Sequence, residues 1–293
     1  MLRDVALSPQ RDQVGAMLIA RTLAELRAGC TELRATRSAL ALVPTMGALH
    51  NGHRALVRAA AESGATVATS IFVNPLQFGA SEDLSRYPRD EAADLATLRA
   101  AGCHLALLPD VSAMYPPNDV TTIDVAGPAA MWEGTARPGH FRGVATVCAK
   151  LFGQVRPDRA YFGEKDWQQL QVVTRMVADL HLPLEIVGVP TVRETDGLAL
   201  SSRNRFLNSD QRRLAPRLYV ALITAVETLA KGASVDDAIE TARHTIEAAG
   251  LAVEYLALVD GPTLQPLQTL HRPSRLVVAA RLGSVRLIDN VAA

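Results

Sequence analysis

The stretch Ala39–Leu40–Ala41–Leu42–Val43–Pro44–Thr45–Met46–Gly47–Ala48–Leu49–His50–Asn51–Gly52–His53 decides how this chain folds. Its first half is a short apolar run, which is how a strand buried on both faces reads. Thr45–Met46–Gly47 ends the run in a turn, and a helix is expected from His53 to Ala61. Working outward, Thr66–Val73 is a second β-branched run. Glu91–Ala101 reads as a helix closed by Gly102, and His104–Leu108 as a third buried strand. Upstream, Asp12–Leu26 carries apolar residues at helical spacing (Val14, Met17, Leu18, Leu23, Leu26), with Gly29 as its stop. Strands alternating with helices at this rhythm indicate parallel βαβ units.

Val111–Gly143 breaks the rhythm with Tyr115–Pro116–Pro117–Asn118 and Arg137–Pro138–Gly139–His140. A long irregular segment inside a compact domain is usually a functional loop. The rhythm then resumes with a helix over Val144–Val155, a strand at Ala160–Phe162, a helix over Trp167–Leu180 and a strand at Glu185–Val189. Pro190–Asn208 is a polar connector. Beyond it, helices at about Asp210–Ala230 and Val235–Ala248 precede strands at Val253–Val259, Arg275–Arg281 and Val285–Asp289, with a hairpin signal at Leu282–Gly283–Ser284. The expected fold is therefore α/β: a Rossmann-like, doubly wound parallel sheet over residues 1–190, then a smaller C-terminal α+β lid domain over residues 191–293.

Composition bounds the rest. Hydrophobic residues make up 48% and charged residues 20% of 293, ample for a core. Aromatics are only 4%, so that core must rest on Ala, Leu and Val. Thirty basic residues balance thirty acidic ones, which argues against a nucleic acid or an anionic membrane as the main partner. Charged residues at Arg3, Asp4, Arg11 and Asp12 interrupt any signal-peptide core, and no stretch is long enough to span a bilayer. Cys30, Cys103 and Cys148 lack metal-ligand spacing and read as small buried hydrophobes in a reduced, cytoplasmic compartment.

The quoted stretch also carries chemistry. Ligands of open α/β sheets sit at the carboxyl ends of strands, next to helix N-termini. Gly47 and Gly52 allow close backbone approach to a phosphate. His50 and His53, three apart at a helix start, would face one side and could donate to phosphate oxygens. A zinc site is the rival reading, though no third ligand is evident nearby. Lys165 at a helix start opposes the helix dipole, a conflict that an anionic ligand would resolve, whereas Asp166 there could simply be a cap. Ser201–Ser202–Arg203 supplies two hydroxyls and a guanidinium suited to phosphate, although two serines alone would read as a polar turn.

Pro44–His53 resembles the His-x-Gly-His signature of the nucleotidyltransferase superfamily, and the fuller string Val43–His53 is similar to the pantoate–β-alanine ligase family. The resemblance recurs in order along nearly the whole chain: Ser70–Phe78, Arg86–Arg89, Arg137–Val144, Phe162–Leu170, Val187–Arg193 and Asp196–Asn204. It implies ATP-dependent condensation of pantoate with β-alanine through pantoyl adenylate, with Mg²⁺, in a homodimer. The runners-up are a nucleotidyltransferase with another acceptor and a non-catalytic nucleotide-binding protein. Carried residue by residue, the resemblance places ATP on Met46, Gly47, Ala48, Leu49, His50, Asn51, Gly52, His53, Gly163, Glu164, Lys165, Asp166, Val192, Leu200, Ser201, Ser202 and Arg203. It places pantoate on Gln77 and Gln169, with Gln77 also near β-alanine. It makes His50, His53 and Lys165 catalytic, His53 being the proton donor. Asn51 stands where an acidic residue is expected and Trp167 where Tyr or Phe is usual. A weak local match makes Asp94 a Mg²⁺ candidate that is not carried into the site.

Overall fold

The computed structural model describes residues 9–11, 17–36, 39–79 and 84–293. They form two compact units, one of residues 1–125, 133–163 and 172–189 and the other of 126–132, 164–171 and 190–293. The first unit is built on strands β1 (Gln10–Arg11), β2 (Leu18–Ala20), β3 (Leu40–Thr45), β4 (Thr66–Ile71), β5 (Leu105–Leu107), β6 (Arg159–Gly163) and β7 (Glu185–Val189). They lie in the order β1-β2-β5-β4-β3-β6-β7. Every pairing is parallel except β1 with β2.

Helices α1 (Leu23–Thr36), α2 (Asn51–Glu62), α3 (Glu91–Ala101), α4 (Val111–Met114), α5 (Glu133–Ala136), α6 (His140–Val155) and α7 (Trp167–Asp179) accompany this sheet, the unit division falling inside α7. Alternate strand residues face opposite layers. Ala41 and Val43 of β3 meet Leu56, Val57 and Ala60 of α2 and Leu95 and Leu98 of α3 in one buried cluster that also holds Ala106. Gly29 of α1 lies instead against Leu105, the neighbour of Ala106, and α1 packs with α6. The sheet is thus covered on both faces, a doubly wound arrangement.

Several local expectations give way. Helix was expected over Asp12–Leu26, but Leu18–Ala20 pairs with β5 and helix begins only at Leu23. Val14, like Arg3, Asp4 and Asp12, lies outside the described residues. Gly29 does not stop α1. It sits inside the helix because a Cβ there would fall 3.1 Å from the Leu105 side chain. Helix α6 also starts earlier than expected, at His140, which puts Gly143 within it.

The second unit contains α8 (Ser209–Leu214), α9 (Arg217–Ala230), α10 (Val235–Ala248) and an antiparallel sheet of β8 (Ala252–Asp260), β9 (Ser274–Leu282) and β10 (Val285–Ala292) in the order β10-β9-β8. One helix was expected over 210–230. Pro216 divides it, since proline brings no N–H to the helical ladder. Leu218, Leu222 and Leu229 of α9 and Ala238, Ala242 and Ile246 of α10 bury against Leu256, Leu258, Leu276, Val278 and Leu287 of the sheet.

Residues 126–132 and 164–171, expected in the first domain, group with this second unit. The reason is side-chain anchoring. The Trp132 indole donates to the Leu264 carbonyl at 2.9 Å, and the Trp167 indole donates to that of Gly261 at 2.8 Å. The Gln168 amide ties the two segments together by donating to the carbonyls of Pro128 (2.8 Å) and Met131 (2.7 Å). At position 167 only tryptophan, among the aromatics considered, brings this indole donor.

Candidate active site

Strand order reverses between β3 and β6, since β3 leads to β4 on one side while β6 and β7 extend the other. The chain leaves β3 at Thr45 and reaches α2 through Met46–His50. Gly47 takes φ +80°, a conformation that glycine adopts without steric cost, and a Cβ there would fall 2.8 Å from Asp94 Oδ2. Asp94 is 3% exposed, and its two oxygens accept the backbone N–H groups of Ala48 (3.0 Å) and Leu49 (2.7 Å). A carboxylate that accepts two backbone donors shapes the loop.

His50 caps α2. Its Nδ1 accepts the Gly52 N–H at 3.1 Å, and its own N–H donates to His53 Nδ1 at 3.3 Å. The two rings lie 4.2 Å apart, tilted by 38°. A backbone N–H can only donate, so both Nδ1 atoms are acceptors and each neutral ring carries its proton on Nε2. The cap therefore fixes the tautomer and leaves both histidines with an Nε2–H donor. Asn51 accepts from Arg54 at 3.1 Å.

Gln77 closes a 3₁₀ turn, Pro75–Gln77, and is 8% exposed. Its amide nitrogen reaches Met46 Sδ at 3.1 Å, and its Oε1 accepts from Asn74 at 3.0 Å. Asn74, 1% exposed, also donates to the Gly143 carbonyl and accepts from the Leu76 N–H and the Tyr115 hydroxyl. Burial raises the Tyr115 pKa, which keeps that hydroxyl a donor. The Gln77 carbonyl receives Arg137 (3.3 Å) and His140 Nδ1 (2.9 Å), while Arg137 also donates to His140 Nε2 at 3.1 Å. His140 thus holds the tautomer opposite to that of His50 and His53. Asn74, Arg137 and His140 stood in the blocks quoted from the sequence without an assigned role. Their pairing needs partners some sixty residues apart, which no local pattern discloses.

In the second unit, β6 gives way after Gly163 to the 3₁₀ turn Glu164–Asp166 and then α7, whose first residues include Gln169. Lys165 Nζ lies 3.7 Å from Asp166, and its side chain is 18% exposed. The Glu164 carboxylate, expected at ATP, pairs with Arg275 at 2.7 Å. Val192 and Leu200 are joined by the Leu200 N–H bond to the Val192 carbonyl (3.0 Å), closing a small hairpin. Ser201 then caps the 3₁₀ turn Ser202–Phe206 that carries Arg203. The described residues contain no group of three or more His, Cys, Asp or Glu that could hold a metal ion.

The reversal of strand order beside a histidine-capped helix places the first unit in the Rossmann-like α/β class, whose ligands sit at that reversal. The pantoate-β-alanine ligase family model matches residues 18–292. The pantothenate synthetase of Acidiphilium cryptum is 56% identical over 277 residues, covering 94% of this chain and 100% of the relative. That of Granulibacter bethesdensis is 54% identical over 277 residues, covering 94% and 96%. The chain belongs to the pantoate–β-alanine ligase family. The crystal structure of pantothenate synthetase from Thermus thermophilus superposes with a TM-score of 0.90 at 50% identity, covering 94% of this chain and 99% of that one. The Francisella tularensis pantoate-β-alanine ligase complexed with β-γ ATP and β-alanine superposes with a TM-score of 0.79 at 32% identity, covering 94% and 98%.

Proposed function

We propose that this chain is an AMP-forming ligase that joins pantoate to β-alanine. The observation that carries the reading is the family match across residues 18–292. In the first step a pantoate carboxylate oxygen attacks the α-phosphorus of ATP, a P–O bond forms, and pyrophosphate leaves. In the second the β-alanine amine attacks the acyl carbon, a C–N bond forms, the acyl–phosphate bond breaks, and AMP leaves. No covalent enzyme intermediate is involved.

Catalysis of this kind is mainly positioning and stabilisation of charge on phosphoryl oxygens. The Nε2–H donors of His50 and His53 suit that task, because the helix cap fixes their tautomer before the nucleotide arrives. The residues proposed to bind ATP are Met46–His53 and Gly163 of the first unit and Glu164–Asp166, Val192, Leu200 and Ser201–Arg203 of the second, with Lys165 and Arg203 as the cations. His53 is the proposed proton donor. Gln77 and Gln169 are the proposed pantoate contacts. The Gln77 amide suits this role because Asn74 and Met46 orient it, and an amide retains further donor and acceptor capacity.

Magnesium enters this reading as the counter-ion of ATP. The Asp94 carboxylate is engaged by the N–H groups of Ala48 and Leu49, and the ion would arrive on the nucleotide's phosphates. Among the described residues no helix is long and apolar enough to cross a membrane. The reading includes a cytoplasmic homodimer, which sedimentation would test. Incubation with ATP, pantoate and β-alanine should yield AMP and pantothenate, and omission of pantoate should abolish AMP. AMP formed with a different acid or acceptor would point to another nucleotidyltransferase, and none with any acceptor to a binding protein.

A further inference from the structure

Two consecutive residues of β10, Asp289 and Asn290, are buried polar groups, 5% and 4% exposed, in a strand that otherwise packs Leu287 and Val291 into the core. Successive strand residues project to opposite sides, so the pair reaches two different segments. Asn290 Nδ2 donates to the carbonyls of Glu164 and Lys165, both at 2.9 Å. Its Oδ1 accepts from Arg275, which also pairs with Glu164 at 2.7 Å and stacks 3.5 Å above the Trp167 ring. Both N–H bonds of one amide are thereby fixed on consecutive peptides. Aspartate cannot reproduce this, because an ionised carboxylate only accepts.

Asp289 works on the other segment. Its carboxylate takes both terminal nitrogens of Arg193, at 2.7 and 2.8 Å. Arg193 stacks 3.9 Å from the Tyr219 ring and donates to the Gly197 carbonyl at 3.0 Å. Gly197, at φ +93°, turns the hairpin whose return strand runs into Ser201, and the Ala199 carbonyl accepts from Asn204 at 3.0 Å. The two arms join within β10, where Asp289 Oδ1 accepts the Asn290 N–H at 2.8 Å and Arg193 reaches the Asn290 carbonyl at 3.3 Å.

We propose that Asp289 and Asn290 are positioning residues for adenylation: Asn290 sets the peptide orientation of the turn bearing Lys165, and Asp289, through Arg193, sets the hairpin that delivers Ser201–Arg203. The inference rests on the ATP assignments of the proposed function. Neither residue is placed on the nucleotide, so each acts through the arm it holds. Sequence proximity could not disclose this, because Asn290 stands far along the chain from Lys165.

The test is a set of double-mutant cycles read by single-turnover formation of pantoyl adenylate. Asn290→Asp and Asp289→Asn are each made in the wild type, in Lys165→Ala and in Arg203→Ala. A misplacement near 1 Å costs about 10²-fold, so each variant should lose about that much in the wild-type background. Residues acting through one another are non-additive, so Asn290→Asp should cost within about twofold once Lys165 is alanine, and Asp289→Asn likewise once Arg203 is alanine. Full loss in every background, or wild-type rates in variants that melt normally, would overturn the positioning roles. If Asn290→Asp does not fold, Arg275→Lys, which keeps a cation for Glu164 but loses the guanidinium fork, enters the same cycles with the same criteria. Wild-type adenylation by Lys165→Ala and Arg203→Ala themselves would sink the ATP assignment and the present proposal together. Additive losses would sink the proposal alone.

Discussion

Replacing Gly143 by alanine should damage pantoate use from inside a helix. Gly143 sits in the first turns of α6, where the helix presses on the Pro75–Gln77 turn. A Cβ built there would fall 2.6 Å from the Gln77 backbone nitrogen and closer still to the Leu76 carbonyl oxygen. An ordinary carbon contact needs about 3.5 Å, so the turn must retreat by close to 1 Å. Both obstructing atoms are backbone, which cannot rotate away. Overpacking of this kind costs about 1–3 kcal/mol, offset by about 1 kcal/mol of improved helix propensity. Net destabilisation should therefore be modest, while the shift passes directly to Gln77 and to Asn74, which bonds both Gln77 and the Gly143 carbonyl. A 1 Å misplacement of a substrate-positioning group costs about 10²-fold. Single-turnover adenylation at varied pantoate should show that loss in kcat/KM for pantoate, with ATP affinity measured by calorimetry little changed. A folded Gly143→Ala enzyme with wild-type kcat/KM for pantoate would refute the role given to this contact.

Asp94→Asn replaces a double acceptor by a group with one acceptor oxygen, leaving a loop N–H unsatisfied; it should cost about 1–3 kcal/mol in thermal or urea unfolding and weaken ATP binding. His50→Asn keeps a capping acceptor for the Gly52 N–H but removes the imidazole. It should preserve the fold by circular dichroism and still lower adenylation by about 10²–10³-fold, with a smaller effect on consumption of supplied pantoyl adenylate. Burial pushes the Cys30 and Cys103 thiols up to about 11 and Cys148 up to about 12. The thiolate is the reactive form, so a thiol reagent at pH 8 should label the native protein slowly and all three cysteines rapidly in guanidinium, as read by intact mass.

Much of the architecture was legible because parallel strands declare themselves as apolar runs. Ala39–Pro44 and His104–Leu108 sit within a residue of β3 and β5, and Glu91–Ala101 coincides with α3. Leu18–Ala20 was hidden because three residues are too few to show an alternation, and their apolar positions also fit a helical spacing. Gly29 misled because a helix-interior glycine is costly and normally reads as punctuation; here it lies against Leu105, whose side chain a Cβ would crowd at 3.1 Å. Segments 126–132 and 164–171 gave no sign of their allegiance, since their partners stand far along the chain: the indole bonds reach Leu264 and Gly261, and Arg275 and Asn290 bond Glu164 and Lys165. At the candidate site, the strand–turn–helix around His50 and His53 was readable from glycine placement and spacing. The work of Asp94 was not, because a buried carboxylate in an ordinary helix looks like any polar residue until the loop it holds is seen.

The most direct measurement is a single turnover with enzyme in excess over ATP, supplied with pantoate but no β-alanine. Pyrophosphate and enzyme-held pantoyl adenylate, identified by mass spectrometry after quenching, should form, and that adenylate should convert to pantothenate and AMP when β-alanine is then added. Release of ADP and phosphate, or pantothenate formed without any acyl adenylate, would contradict the two-step mechanism.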